Sequence, residues 1–296
     1  MLIRLGYDIE LGVTGPTALI ALLLLHPDRA SDVVEPETLT VDPPLLAEPY
    51  FDLFGNRCTR IRVPADVDRV RLRNHFVIRD SGIPDPVAPD AMQHSVADIP
   101  TGALAYLLPS RYCEVDSQLL QFAWDTFGTT SPGWARVQAV CDFVHGHLVF
   151  DYLSASVGRT AVGGFTERVG VCRDFAHLAI TLCRCLNIPA RYVTGYLGDI
   201  GVVPEPGPMD FSAWFEAYLG GAWRTFDARH NSPRIGRTAI ARGRDAADVP
   251  ITMVFGPSTL NRFDVLTAEI AGCEEITHLR SRNTTDMGLP GLAGGG

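Results

Sequence analysis

The chain has 296 residues, 46% of them hydrophobic and 20% charged, an ordinary globular balance with room for one large domain or two ordinary ones. Its formal net charge is −9 and no basic run interleaved with aromatics occurs, which argues against nucleic acid as a partner. The 25 Lys-plus-Arg residues are all arginine, which excludes Schiff-base and P-loop lysine chemistry.

Residues 1 to about 100 read as strands and turns. The runs LIRLGYDIEL, ALIALLLL, CTRIRVPA and VRLRNHFVI are β-rich and are separated by Pro, Gly, Asn and Asp. ALIALLLL, residues 18–25, is too short to span a bilayer and follows acidic Asp8 and Glu10, so it is expected as a fully buried strand and not as a signal peptide. With no export signal and no membrane span, the expected compartment is the cytoplasm, and the seven cysteines are expected to be free thiols. The Pro-rich stretch GIPDPVAPDA, residues 82–91, reads as a connection into a second unit.

From about 115 the periodicity becomes helical. Asp116 or Ser117 can cap a helix that Gly128 ends, and WARVQAVCDFVHGHL follows with Val137, Val140, Cys141, Val144 and Leu148 at helical spacing. A loop then leads to Cys172 and a helix from 172 to about 186 that is apolar on nearly every side, hence buried, and ended by Asn187 and Pro189. Strand-like segments close the chain: ARYVTGYL, FSAWFEAYL, AWRTFDA, ITMVFG and FDVLTAEI, with GDIGVVPEPGPM (198–209) as a loop. The order is α+β, with an N-terminal β-rich domain at 1–100, a helical-plus-sheet core at 101–280 and a flexible tail at 281–296.

Cys172 is the candidate nucleophile. A thiol at a helix start meets unpaired N–H groups and the positive end of the dipole, both of which favour thiolate. His177 is not its base, because five residues turn a helix by about 500° and leave the two side chains roughly 140° apart; a hydrogen-bonded core histidine is expected. Arg173 and Asp174 are expected as a helix-start charge and a structural ion pair. In the hairpin at 211–230, a two-residue turn at Gly220–Gly221 sets Phe215 opposite Phe226 and places Ser212, Trp214, Glu216 and Tyr218, with Trp223, Thr225, Asp227 and Arg229, on one polar face. On strict alternation His230 falls on the other face. No His/Cys/Asp cluster has ligand spacing, so neither metal nor cofactor is expected.

GVCRDFAHLAITLCRCLNIPARYVTGYL followed by AWFEAYLGGAWRTFDAR resembles the transglutaminase-like core, a branch of the papain-like thiol enzymes. The match is specific over about 135–230, and the N-terminal region is similar to the β-sandwich-like domain of bacterial members. The resemblance implies acyl transfer or hydrolysis at glutamine side chains or peptide bonds of a protein or peptide substrate, through a thioester on Cys172 with Asp227 orienting the base. It also implies a histidine at the position held here by Ser212, and serine is no general base. Three readings follow. Another histidine enters the site (His230, His145 or His147); the thiolate reacts with weaker help or by a different chemistry; or the fold serves as a catalytically impaired binding or scaffolding module. Tyr152 is a candidate oxyanion donor and Trp214 a candidate lining residue.

Overall fold

The computed structural model describes residues 1–204, 209–270 and 282–283. The first strand, β1 (Leu2–Val13), alternates as half-buried strands do, with Ile3, Leu5, Tyr7, Ile9, Leu11 and Val13 inward. Strands β2 (Thr17–Ala21), β3 (Val33–Glu35), β4 (Thr40–Asp42), β5 (Ala47–Phe51), β6 (Arg57–Val63) and β7 (Arg69–Arg79) complete the N-terminal region. The segment expected as one fully buried strand is shorter and only half-buried: β2 stops at Ala21 with alternating exposure, and Leu22, Leu23 and Leu25 enter the core as irregular chain.

The helical part comprises α1 (Thr101–Leu104), α2 (Gln118–Phe127), α3 (Trp134–His147), β8 (Val149–Phe150), α4 (Ala161–Glu167), β9 (Val169–Gly170) and α5 (Cys172–Cys185). Ser117 caps α2 by accepting from Leu119 N–H, and Gly128 ends it, as read from the sequence. The stretch expected as a loop before Cys172 holds α4 and a parallel β8–β9 pair in which Phe150 matches Gly170. Helix α5 runs through the core in contact with α2, α3, α4 and the sheet, and Asn187 turns the chain out of it in the left-handed region (φ +62°).

The remaining strands are β10 (Ala190–Tyr196), β11 (Ser212–Leu219), β12 (Ala222–Phe226), β13 (Thr238–Gly243), β14 (Thr252–Phe255), β15 (Ser258–Glu269) and β16 (Arg282–Asn283). They divide between three antiparallel sheets. The sheet behind α5 has the order β12-β11-β10-β13, in which β13 lacked a recognised sequence signal. The other two follow the orders β16-β15-β1-β7-β3, with β4 also on β7, and β14-β2-β6-β5. Thus β14 and β15, expected within the 101–280 unit, pair with β2 and β1 and close the N-terminal sheets. Apart from 282–283, the tail at 281–296 lies outside the described residues. Among the described residues no helix is long and apolar enough to cross a membrane.

One arginine locks α5 to the sheet. Arg184 is 1% exposed and donates to the carbonyls of Leu108, Ala190 and Arg244 and to the Ser110 hydroxyl. Carbonyl oxygens of three separate segments thus depend on one side chain. Replacing it by Arg184→Met removes the donor to all four of these acceptors, and the expected loss is about 3 kcal/mol, read from urea denaturation.

Candidate active site

The Gly-Val-Cys-Arg-Asp step is built to hold a helix start. Val171 is extended, and its N–H donates to Asp174 Oδ2 at 2.9 Å, the carboxylate of the third helical residue reaching back over the first turn. Arg159 donates to the same oxygen at 3.2 Å and pairs with Glu167 at 2.8 Å. Gly170 is required by this packing, because a Cβ there would lie 2.6 Å from Asp174 Oδ2. Arg173 also lies against Asp174 at 3.5 Å, so both charged residues of the motif serve the structural role read from the sequence.

Cys172 is left half-buried as the first residue of α5, facing the start of β11. Burial pushes its thiol up to about 11. Arg229 and the Ala213 N–H pull the other way, while Asp210 and Asp227 add to the rise. Desolvation thus outweighs the helix start, which by itself favours the thiolate.

The hairpin has the register expected from its turn. Gly220 and Gly221 both have positive φ (58° and 78°), the conformation that a two-residue turn needs, and Phe215 pairs with Phe226. Asp227 follows the last ladder pair and heads a turn. Its Oδ1 accepts from the N–H groups of Arg229 (2.9 Å) and His230 (3.1 Å), and its Oδ2 from His230 Nδ1 (2.8 Å) and Arg237 Nη1 (3.0 Å). The turn, not a bulge, brings His230 back onto Asp227, against the alternation that placed it on the other face. Burial works to raise the Asp227 carboxyl, but Arg237 and His230 outweigh it and hold the group well below the usual carboxylate range.

Arg237 sits over the Trp214 ring at 4.9 Å and also donates to Asp85 at 3.0 Å, which ties the Pro-rich connection to the hairpin. Asp85 further accepts from the Arg234 N–H at 2.9 Å. Trp214, expected to line a site, is 2% exposed and packs with Val193 and Ala239 under that guanidinium. Ser212, opposite Gly195, is 7% exposed, and its hydroxyl is buried without a partner.

Three further histidines are engaged elsewhere. His145 Nδ1 meets the Arg229 carbonyl at 2.8 Å, and His147 Nε2 meets the Phe165 carbonyl at 2.7 Å. His177 is fully buried, stacks on Tyr112 and accepts from the Ala246 N–H at 3.1 Å, the core role expected of it. Burial holds it well below the ordinary imidazole range, hence neutral. Among the described residues no histidine nitrogen is hydrogen-bonded to the Cys172 sulfur. Tyr152 is half-buried, edge-on to Phe150 at 4.8 Å. A cleft of about 250 Å³ opens beside Asp227, walled by Asp85, Val87, Trp134, Phe226 and Asn231, and Cys172 is not among its walls. Among the described residues no group of three metal-ligating side chains converges.

The site thus gathers Cys172, the Ala213 amide, Arg229 and Asp227, with Ser212 one residue before that amide. Sequence reasoning missed Arg237 as a partner of Asp227, and Asp85 as the second carboxylate on Arg237. The signal for the turn was present, since an aspartate followed by Ala-Arg-His can close on its own backbone. Nothing local announced Arg237, which comes from a separate strand connection.

Two outcomes are expected. Alkylation of Cys172 by iodoacetamide rises about tenfold per pH unit from 7 to 10 and approaches its plateau near 11, against a Cys172→Ala control. Because the folded Asp227 carboxyl lies below its unfolded value of about 3.9, its contribution is complete above that pH and is lost as pH falls through the folded value. Asp227→Asn is expected to destabilise the protein by about 3 kcal/mol at pH 7 and to flatten its acid-unfolding profile below about pH 4, measured by denaturant titration across pH.

Comparison with known proteins gives concordant results. The model of the transglutaminase-like superfamily core matches residues 121–228. A solved structure of a candidate cysteine protease from Cytophaga hutchinsonii is 32% identical and superposes over 94% of this chain and 92% of that one with a TM-score of 0.77. An uncharacterized protein of Mycobacterium leprae is 32% identical over 124 residues, a match that spans only 43% of that relative's length. An uncharacterized protein of Mycobacterium tuberculosis is 27% identical over 237 residues, 72% of this chain and 73% of that one.

Proposed function

The chain belongs to the transglutaminase-like superfamily, and from that premise we propose that it is a thiol acyl-transfer protein in which Cys172 takes up the acyl group of a protein or peptide substrate as a thioester. The observation that carries this reading is the placement of a half-buried Cys172 at the first residue of α5, where Arg229 and the Ala213 N–H are the influences that lower its thiol. A cation and an N–H of that kind favour both the thiolate and an oxyanion formed on attack. Ser212 occupies the position at which the family carries its base, and its unpartnered hydroxyl replaces neither base nor acid. Glutamine amides and peptide bonds are therefore slow donors, lacking roughly the 10²- to 10⁴-fold that a positioned base supplies. The acceptor is water or a nucleophile of another molecule and not a lysine amine of this chain, which contains no lysine.

A second reading is a binding or scaffolding module that performs no turnover. It is favoured by the saturation of Asp227: an ionised carboxylate has about four acceptor sites, and four bonds from the turn and Arg237 fill them.

Ser212→His separates the two. The variant is expected to raise hydrolysis of a glutamine-containing peptide at least tenfold, and Ser212→His combined with His230→Ala, which releases one bond on Asp227, to raise it further. Cys172→Ala in the same background abolishes the gain. If neither variant gains, 212 is not the base position of this site.

A further inference from the structure

Resting on the thiol acyl-transfer reading, we propose that Arg229 is the fixed cation of the Cys172 site and that it restricts the efficient acyl donors to thioesters. Arg229 is held at three points. Its N–H is fixed by Asp227 Oδ1 at 2.9 Å, its carbonyl lies 2.8 Å from His145 Nδ1, and its guanidinium carbon lies 3.7 Å from the centroid of the Phe150 ring. Phe150 is matched in the β8–β9 pair to Gly170, two residues before Cys172. The cation therefore stands over the β8–β9 pair that leads into the helix start, and there Arg229 lowers the Cys172 thiol while Asp210 and Asp227 raise it.

A guanidinium differs from an imidazolium in one decisive respect. It stabilises a thiolate and a developing oxyanion, but it neither accepts the thiol proton nor donates one to a leaving group, because it is not deprotonated in proteins. Expulsion of an amine from a tetrahedral adduct needs a proton at the nitrogen, which a positioned acid normally supplies. Expulsion of a thiolate needs none, since its conjugate acid has a pKa near 8.5. The site has the charge for the first half of acyl transfer and lacks the acid for the amide version of the second.

The step balances without a co-reactant. The Cys172 proton passes to solvent. The thiolate attacks the donor's carbonyl carbon, a carbon–sulfur bond to Cys172 forms, and the bond from that carbon to the donor sulfur breaks with its electron pair on the donor sulfur. A thiolate enters and a thiolate leaves, with no redox change. A second thiolate removes the acyl group from Cys172 by the same step in reverse.

The test uses the full chain with two probes, the acetyl thioester of N-acetylcysteamine and a glutamine-containing dipeptide, and follows the acyl mass on Cys172 and the release of free thiol. Expected are acetylation by the thioester, no adduct from the dipeptide and none in Cys172→Ala. Arg229→Gln is expected to slow acetylation at least tenfold and to move the pH midpoint of Cys172 alkylation upward. Arg229→Lys is expected to recover part of the loss, which separates charge from folding. A dipeptide adduct formed as fast as the acetyl one, or an unchanged rate and pH midpoint in Arg229→Gln, overturns the inference and leaves the thiol reading standing. Failure of both probes to acylate Cys172 overturns both.

Discussion

Asp227 accepts four hydrogen bonds in a buried position, and the organisation of the candidate site depends on that saturation. The carboxylate closes the turn after β12, which sets the place of Arg229 and His230. Through Arg237 it is joined to Asp85, which accepts from the backbone at Arg234 as well. Two carboxylates with one guanidinium between them are a tolerable burial, because both pair with Arg237 and the other acceptor sites of Asp227 are filled by the turn and His230. The same satisfaction that stabilises the hairpin removes the capacity to orient a group at position 212. A carboxylate with open lone pairs is a device for positioning an imidazole; one whose lone pairs are full is a structural joint.

The nucleophile is governed by a second competition, between the field of a helix start and the cost of desolvating a thiolate. Helix-terminal effects are modest and fall off within a turn, whereas removing an anion from water carries a larger penalty. In this site the penalty wins, and the thiol rests protonated at neutral pH. Arg229 is the largest opposing influence on the sulfur, which makes a residue of the hairpin turn the electrostatic partner of a residue on α5. Asp227 and Cys172 are thus coupled through Arg229, although no imidazole links them among the described residues.

Much of this arrangement was legible in the linear sequence where a local rule applied. The two glycines at 220–221 determine the register of β11 and β12, because a two-residue turn admits only one. The exclusion of His177 followed from the helical repeat, and its packing on Tyr112 agrees. The N-cap at Ser117 and the left-handed exit at Asn187 were likewise local. Where local rules ended, the reading failed in identifiable ways. Strict alternation carried past Phe226 placed His230 on the wrong face, since the strand ends there and Asp227 folds the chain back. The sequence order of β14 and β15 attached them to the helical unit, but their hydrophobic faces are buried only by pairing with β2 and β1.

By itself, then, the sequence determined that a cysteine begins a buried helix and that Asp227 falls on the hairpin face that carries Ser212 and Trp214; the resemblance added that position 212 is where the family keeps a histidine. The first two are consequences of spacing and of residue type, both local. Which group bonds to Asp227, which charge faces the sulfur and whether the thiol is ionised were decided only by tertiary structure. Arg229 and Arg237 follow Asp227 closely in the chain and Asp85 lies far before it, but the folded turn and connection decide where their charges stand, and the free energy of a buried charge depends on what surrounds it rather than on its place in the sequence.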